Sequence, residues 1–164
     1  IFSKYIYCHM NDELKISDAL KLGIEAHKSG DLHKADIYYT SILKVNPNHP
    51  DANHNMGALA LSLGKIEQSL PFFNKALDSN PKITQFWLSL VNTLIKLKKY
   101  DEAKIFILSA KEKGINPDKI YDIEQELENH KNKSEDTKDI NKFEQKKISK
   151  EAFYLKENGD YNQA

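Results

Sequence analysis

Histidine is the side chain in this sequence best suited to bind a metal or move a proton, and six histidines occur among the 164 residues. His27 and His33 flank a turn that contains Gly30, and His49 and His54 flank Pro50. A zinc site needs three or four ligands in fixed geometry, held by supporting hydrogen bonds. Two histidines near a loop do not meet that requirement, so we expect no metal.

The remaining reactive side chains also favour structural roles. The pair Asp101 and Glu102 opens a predicted helix, where acids interact favourably with the positive end of the helix dipole. The run Cys8, His9, Met10 contains soft metal ligands, but it lies in a predicted terminal extension. No phosphate-binding glycine loop or nucleophile elbow occurs. We therefore expect no catalysis and no cofactor.

Composition limits the partners and the compartment. The 24 basic residues balance 24 acidic ones, which leaves no electrostatic case for nucleic acid. No apolar run approaches the roughly 18 residues needed to cross a bilayer, so no membrane segment is expected. The single cysteine excludes an intramolecular disulfide and favours a reducing, cytoplasmic location.

The elements that carry these side chains follow a repeat. Residues of one size class recur at an offset of 34, all in one register. The matching sets are Gly23 and Gly57; Gly30 and Gly64; Asn46 and Asn80; Pro47 and Pro81; Leu22, Met56 and Leu90; Ala35, Ser69 and Ala103; and Tyr39, Phe73 and Ile107. An unrelated helical bundle has no need of phased glycines and prolines, so the pattern favours a repeat architecture.

This offset and these residue classes resemble the tetratricopeptide repeat, a helix-turn-helix unit of about 34 residues. The resemblance implies an all-α fold, a TPR-type α-solenoid in which antiparallel helix pairs form a right-handed superhelix. The predicted organisation is an N-terminal extension (1–15), three repeats (16–49, 50–83 and 84–117), a capping helix (118–130), a charged linker (131–144) and a truncated fourth repeat (145–164).

Each slot of the repeat has a physical reason. Gly23 and Gly57 let two helices approach closely, and bulky side chains are expected to fill the space around that contact. Those bulky residues are Leu22, Tyr39, Met56, Phe73 and Trp87. Glycine ends each first helix, and an Asn-Pro pair ends each second helix. The third repeat departs from this pattern, with Val91 in the first glycine slot and Lys98 in the turn.

The two ends of the chain carry further expectations. Ile120, Ile123 and Leu127 form one apolar stripe, which suits a helix covering the last complete repeat. Residues 145–164 stop inside a helix pair, so we expect the natural polypeptide to continue. For residues 1–9 two hypotheses stay open: Met10 is the natural start, or these residues form an additional helix or the remnant of a targeting segment.

The resemblance also implies where a ligand would bind, because the first helix of each unit lines a concave groove in this family. The candidate groove residues are Leu20, Ile24, His27, His54, Asn55, Ala58, Leu61, Leu88, Asn92 and Ile95. Amides can donate to and accept from a peptide backbone, and the apolar members would form shallow pockets. A non-catalytic scaffold that binds a protein or peptide is therefore the leading hypothesis.

Two other functions are open for this chain, and one function of the family is excluded. The chain could be the N-terminal recognition or regulatory module of a larger enzyme of glycosyltransferase or sulfotransferase type. It could also self-associate, as a homodimer through the open C-terminal hairpin. Chaperone-binding relatives hold a terminal carboxylate with several cations, but only Asn55 matches that set; Leu20, Ile24, Gln85 and Ser89 do not, so we reject that clamp.

Overall fold

The structure, a computed structural model, describes the backbone of residues 2–132 and the side chains of residues 15–132. This part of the chain folds into seven helices and contains no strand. They are α1 (Phe2–Lys28), α2 (Leu32–Val45), α3 (Pro50–Ser62), α4 (Ile66–Ser79), α5 (Thr84–Lys96), α6 (Tyr100–Glu112) and α7 (117–132). The predicted all-α repeat fold is confirmed. Residues up to Glu124 form one compact unit, and the second begins at Gln125.

Three of the connections are tight turns of the same type. Gly30 and Gly64 have φ angles of +85° and +72°, and Lys98 has 58° at the equivalent position. In each turn the residue after this position donates its backbone N–H back to the preceding helix, at 2.9 Å. The third hairpin therefore keeps the geometry of the first two, although lysine adopts this left-handed conformation less readily than glycine.

The close helix approach predicted at the glycine slots is present. A Cβ atom on Gly23 would lie 2.6 Å from Tyr39 Cε1, and one on Gly57 would lie 2.7 Å from Phe73 Cε1. Both rings are buried, so each aromatic side chain occupies the space that a larger residue would need. These contacts fix how closely α1 and α2, and α3 and α4, can pack.

One predicted core residue is not in the core. Leu22 is 44% exposed, whereas its repeat counterparts Met56 and Leu90 are 9% and 1% exposed. Met56 packs in a cluster with Tyr39 of the preceding hairpin. No hairpin precedes α1 among the described residues, so the equivalent face of Leu22 is left uncovered.

The ends of the described region differ in part from the predicted boundaries. Helix α1 runs without a break from Phe2, so the backbone of the predicted extension is continuous with the first repeat helix. No proline or glycine precedes Gly23 to interrupt it. The linker beyond residue 132 and the truncated fourth repeat lie outside the described residues.

Helix α7 contains the residues of the predicted capping helix (118–130), whose role as a cap stays a prediction. Asn116 Oδ1 accepts the backbone N–H of Lys119 at 3.2 Å, which caps the first turn. Ile120 and Ile123 are buried within the first unit. Lys111 and Glu124 form an ion pair at 2.6 Å, which links α6 to this helix.

Candidate functional site

Two histidine-serine contacts connect the first helices of successive hairpins. His27 Nε2 lies 2.9 Å from Ser62 Oγ, and His54 Nε2 lies 2.9 Å from Ser89 Oγ. Each pair is separated by 35 residues, one repeat plus one position. The contacts therefore join α1 to α3 and α3 to α5, so these three helices form a continuous wall.

His54 is the most enclosed histidine of this wall. Its ring stacks on Phe86 at a centroid distance of 4.9 Å and lies 5.5 Å from the ring of Phe73. Burial among these side chains lowers the pKa of His54 below 6.5, while the Asp51 carboxylate acts in the opposite direction. The lowered pKa favours the neutral imidazole, and the faces of the ring are covered by Phe86 and Phe73.

Two of the other three histidines on the predicted turns, His27 and His49, also have structural partners. His49 Nδ1 accepts the backbone N–H of Ala52 at 3.2 Å and caps α3. The His27 ring meets Tyr39 edge-on at 6.3 Å. Within the described residues, no three side chains of the metal-binding types come together. The sequence analysis did not predict the two histidine-serine contacts, although the recurring offset of 35 between a histidine and a serine could have indicated them.

Nine of the ten candidate groove residues are partly buried, and Ile95 differs from them. Leu20 and Ile24 pack against the cluster that contains Tyr39 and Met56, so part of each side chain belongs to the core. Ile95 is only 3% exposed, although it occupies the slot of the partly exposed Leu61. It contributes packing in this structure and offers little surface to a ligand.

The two predicted asparagines are available for hydrogen bonding. The amides of Asn55 and Asn92 are partly exposed and make no hydrogen bond to any residue that the structure describes. Asn53 provides the contrast, because it is 1% exposed and donates to the carbonyls of both Pro47 and His49 at 3.0 Å. The donors and acceptors of both amides on the wall are thus unused within the described residues.

Gln85 extends the polar part of the wall. Its Nε2 donates to Ser89 Oγ at 3.3 Å, so Ser89 contacts both Gln85 and His54. Gln85 and Ser89 are both uncharged, and the resemblance to chaperone-binding relatives would imply cations at these two positions. Sequence reasoning identified the missing charges but not this hydrogen-bond chain.

The comparisons with known proteins agree with the repeat geometry. The tetratricopeptide repeat model matches residues 50–83 and 84–112. No curated protein sequence matches the chain significantly. Within the part of the chain described, no helix is long and apolar enough to cross a membrane.

Three solved structures illustrate the similarity of fold. The TPR2B domain of yeast Sti1, in a complex with pHsp70, is 20% identical with a TM-score of 0.64 over 73% of this chain and 98% of that one. The first TPR domain of Spaghetti (RPAP3), bound to an HSP90 peptide, is 20% identical with a TM-score of 0.62 over 71% and 92%.

The third structure is a mutant O-GlcNAc transferase from Thermobaculum terrenum. It is 22% identical with a TM-score of 0.56, over 62% of this chain but only 19% of that one. Residues 50–83 and 84–112 thus match the tetratricopeptide repeat model, and the described helix pairs have the fold of tetratricopeptide repeat structures.

Proposed function

We propose that the wall formed by α1, α3 and α5 binds an extended peptide of a partner protein, without catalysis by this chain. The observation that carries the proposal is the pair of amides on Asn55 and Asn92, which are accessible and make no bond to the described residues. A side-chain amide can pair with both the N–H and the C=O of an extended backbone. Two of the similar structures support a peptide or protein ligand: one is a complex with pHsp70, and the other is bound to an HSP90 peptide.

The chemistry of the wall favours binding to an internal segment of a peptide over binding to its C-terminal carboxylate. Leu20 and Ile24 are apolar, and Ser89 already contacts Gln85 and His54. A carboxylate placed there would lack the charge-assisted hydrogen bonds that offset its desolvation. We therefore expect internal peptide segments, with apolar side chains placed between the amides.

Selection from a random peptide display library tests this function. Peptides enriched on the wild-type chain are expected to lose at least tenfold in affinity when Asn55→Ala and Asn92→Ala are combined. A matched control combines Asn48→Ala and Asn74→Ala, two exposed asparagines outside the wall, and should leave affinity unchanged. Equal binding to all three proteins, or no enrichment on the wild type, would contradict the proposal.

A second candidate function is recognition within a larger enzyme. The similarity to the O-GlcNAc transferase supports it, since this chain spans about a fifth of that protein. The reading frame around these residues tests it: a transferase domain in the same polypeptide favours this role.

Cytoplasmic location, also a proposal, is tested by fractionating cells that carry the whole reading frame.

Self-association through the C-terminal hairpin is a further proposal for the same chain. Light scattering at several protein concentrations measures it directly. A molar mass that stays at 18.9 kDa at every concentration would exclude it.

A further inference from the structure

A cavity of about 200 Å³ lies between α1 and α2, away from the wall. Its lining residues, none of which belongs to the candidate groove, are Lys15, Ile16, Ala19, Ser41, Ile42 and Val45. Ile42 is 1% exposed and forms part of the core, whereas Val45 is 68% exposed. The cavity thus joins the interior of the first hairpin to the surface.

The repeat register explains why the cavity exists. Ala19 occupies the slot that Asn53 and Trp87 occupy in the second and third hairpins. Trp87 is 3% exposed, its Nε1 donates to the carbonyl of Pro81 at 2.8 Å, and its ring meets Phe106 edge-on at 6.4 Å. The third hairpin therefore fills with an indole the slot that holds only a methyl group in the first.

The facing residue compensates for only part of this difference. Ile42 stands where Ala110 stands in the third hairpin. The pair Ala19 and Ile42 supplies five side-chain heavy atoms, against eleven from Trp87 and Ala110. The deficit of six atoms corresponds to one aromatic ring. Aliphatic cavities of roughly 150 Å³ are known to take up a single ring.

The rim of the cavity indicates the charge of its occupant. Lys15 is exposed, forms no ion pair with any described residue, and is the one charged residue among the six that line the cavity. An acidic group beside the inserted ring would therefore find an opposite charge, and none of the described lining residues is a carboxylate that would repel it.

We propose that this cavity is a docking site for an aromatic side chain of a partner polypeptide, flanked by an acidic residue. The site is independent of the wall. The ring takes the place that Trp87 fills within the third hairpin, and the neighbouring carboxylate pairs with Lys15.

Methyl NMR of the full 164-residue chain tests the proposal with three capped tripeptides: Asp-Trp-Asp, Asp-Ala-Asp and Lys-Trp-Lys. We expect ring-current shifts of the Ala19, Ile42 and Val45 methyl signals with the first peptide. At least tenfold weaker binding is expected for the second, and severalfold weaker binding for the third. Equal responses to all three peptides would overturn the proposal, and free indole binding as tightly as Asp-Trp-Asp would assign the cavity to a small molecule instead.

Two variants make the test specific. Ala19→Leu should fill the cavity, abolish the shifts of Ile42 and Val45, and leave the melting temperature equal or higher. Lys15→Gln, at an exposed position, should remove the preference for acidic over basic flanks. An Ala19→Leu protein that still binds, or that unfolds because no space exists, contradicts the proposal. Combined Asn55→Ala and Asn92→Ala should leave binding of this probe unchanged, which separates its outcome from that of the peptide-binding wall.

Discussion

The second and third hairpins fill the contact between their two helices with different pairs of side chains. In the second, Gly57 lies under the buried ring of Phe73 with no space for a Cβ atom. In the third, the equivalent positions hold Val91 and Ile107, which are also fully buried. A smaller residue on one helix is matched by a larger one on its partner. The quantity preserved between repeats is the volume of the pair, because the two helices must stay at one distance.

The largest expected effect comes from breaking this match in the second hairpin. Gly57→Leu places a Cβ atom about 2.7 Å from Phe73 and adds three further carbons beyond it. Overpacking of this kind should lower the free energy of unfolding by about 1–3 kcal/mol or more. Urea denaturation measures the loss, and Ala58→Leu, at the neighbouring partly exposed position, is the control expected to change stability little.

Restoring the match should rescue the protein. Gly57→Val combined with Phe73→Ile recreates the pair found in the third hairpin. The double variant should be less destabilised than the sum of the two single variants, with a coupling energy of about 1 kcal/mol. Strictly additive losses would show that the pair is not the unit of packing.

A smaller gain is expected in the first hairpin. Tyr39 is fully buried, its hydroxyl has no hydrogen-bond partner in the described structure, and burial raises its pKa above 10. Tyr39→Phe removes an unsatisfied polar group and reproduces the residue found at Phe73. We expect stabilisation by about 1 kcal/mol in the same urea experiment. Destabilisation of that size would mean that the hydroxyl has a partner.

The turns allow a still finer comparison. Lys98 has a positive φ angle where the first two hairpins use glycine, so Lys98→Gly should relieve strain and stabilise by about 0.5–1 kcal/mol. Lys104→Gly, within α6, is the control and should cost about 1 kcal/mol. A loss of stability at both positions would contradict the role of the left-handed turn.

The smallest effect is a dependence on pH that arises at His54. Because desolvation lowers its pKa in the folded chain, the unfolded chain binds the proton more tightly. The contribution of His54 to stability is therefore present above pH 6.5 and declines as pH falls through 6.5 towards the lower folded pKa. His54→Leu, which copies Leu20 and Leu88, should show a weaker fall in stability between pH 7.5 and 5.5. An identical pH dependence in both proteins would exclude this source.

Most of the fold was predictable because it follows from local sterics. Glycine in a left-handed turn, proline after asparagine and apolar residues at helical spacing act within a few residues of each other. Together with the other residues that recur at an offset of 34, these local signals predicted the helix pairs. Even the unusual turn at Lys98 keeps its place, since the helices on either side are fixed by packing.

The details of the site were less predictable because they depend on neighbours from other repeats. Leu22 is exposed because no described hairpin covers it, and Ile95 is buried although its counterpart Leu61 is partly exposed. The lowered pKa of His54 depends on burial against rings supplied by α4 and α5. A repeat register shows which positions are equivalent; it does not show what covers each of them.

The side-chain amide signals of the 164-residue chain test the central claim most directly. When a display-selected peptide is added, ¹H–¹⁵N spectra should show shifts of the Asn55 and Asn92 side-chain amides. The Asn53 amide, already bonded to Pro47 and His49, should stay in place. Shifts at Asn55 and Asn92 alone are the result expected if the wall binds the peptide backbone. A bound peptide that leaves both signals unchanged would contradict it.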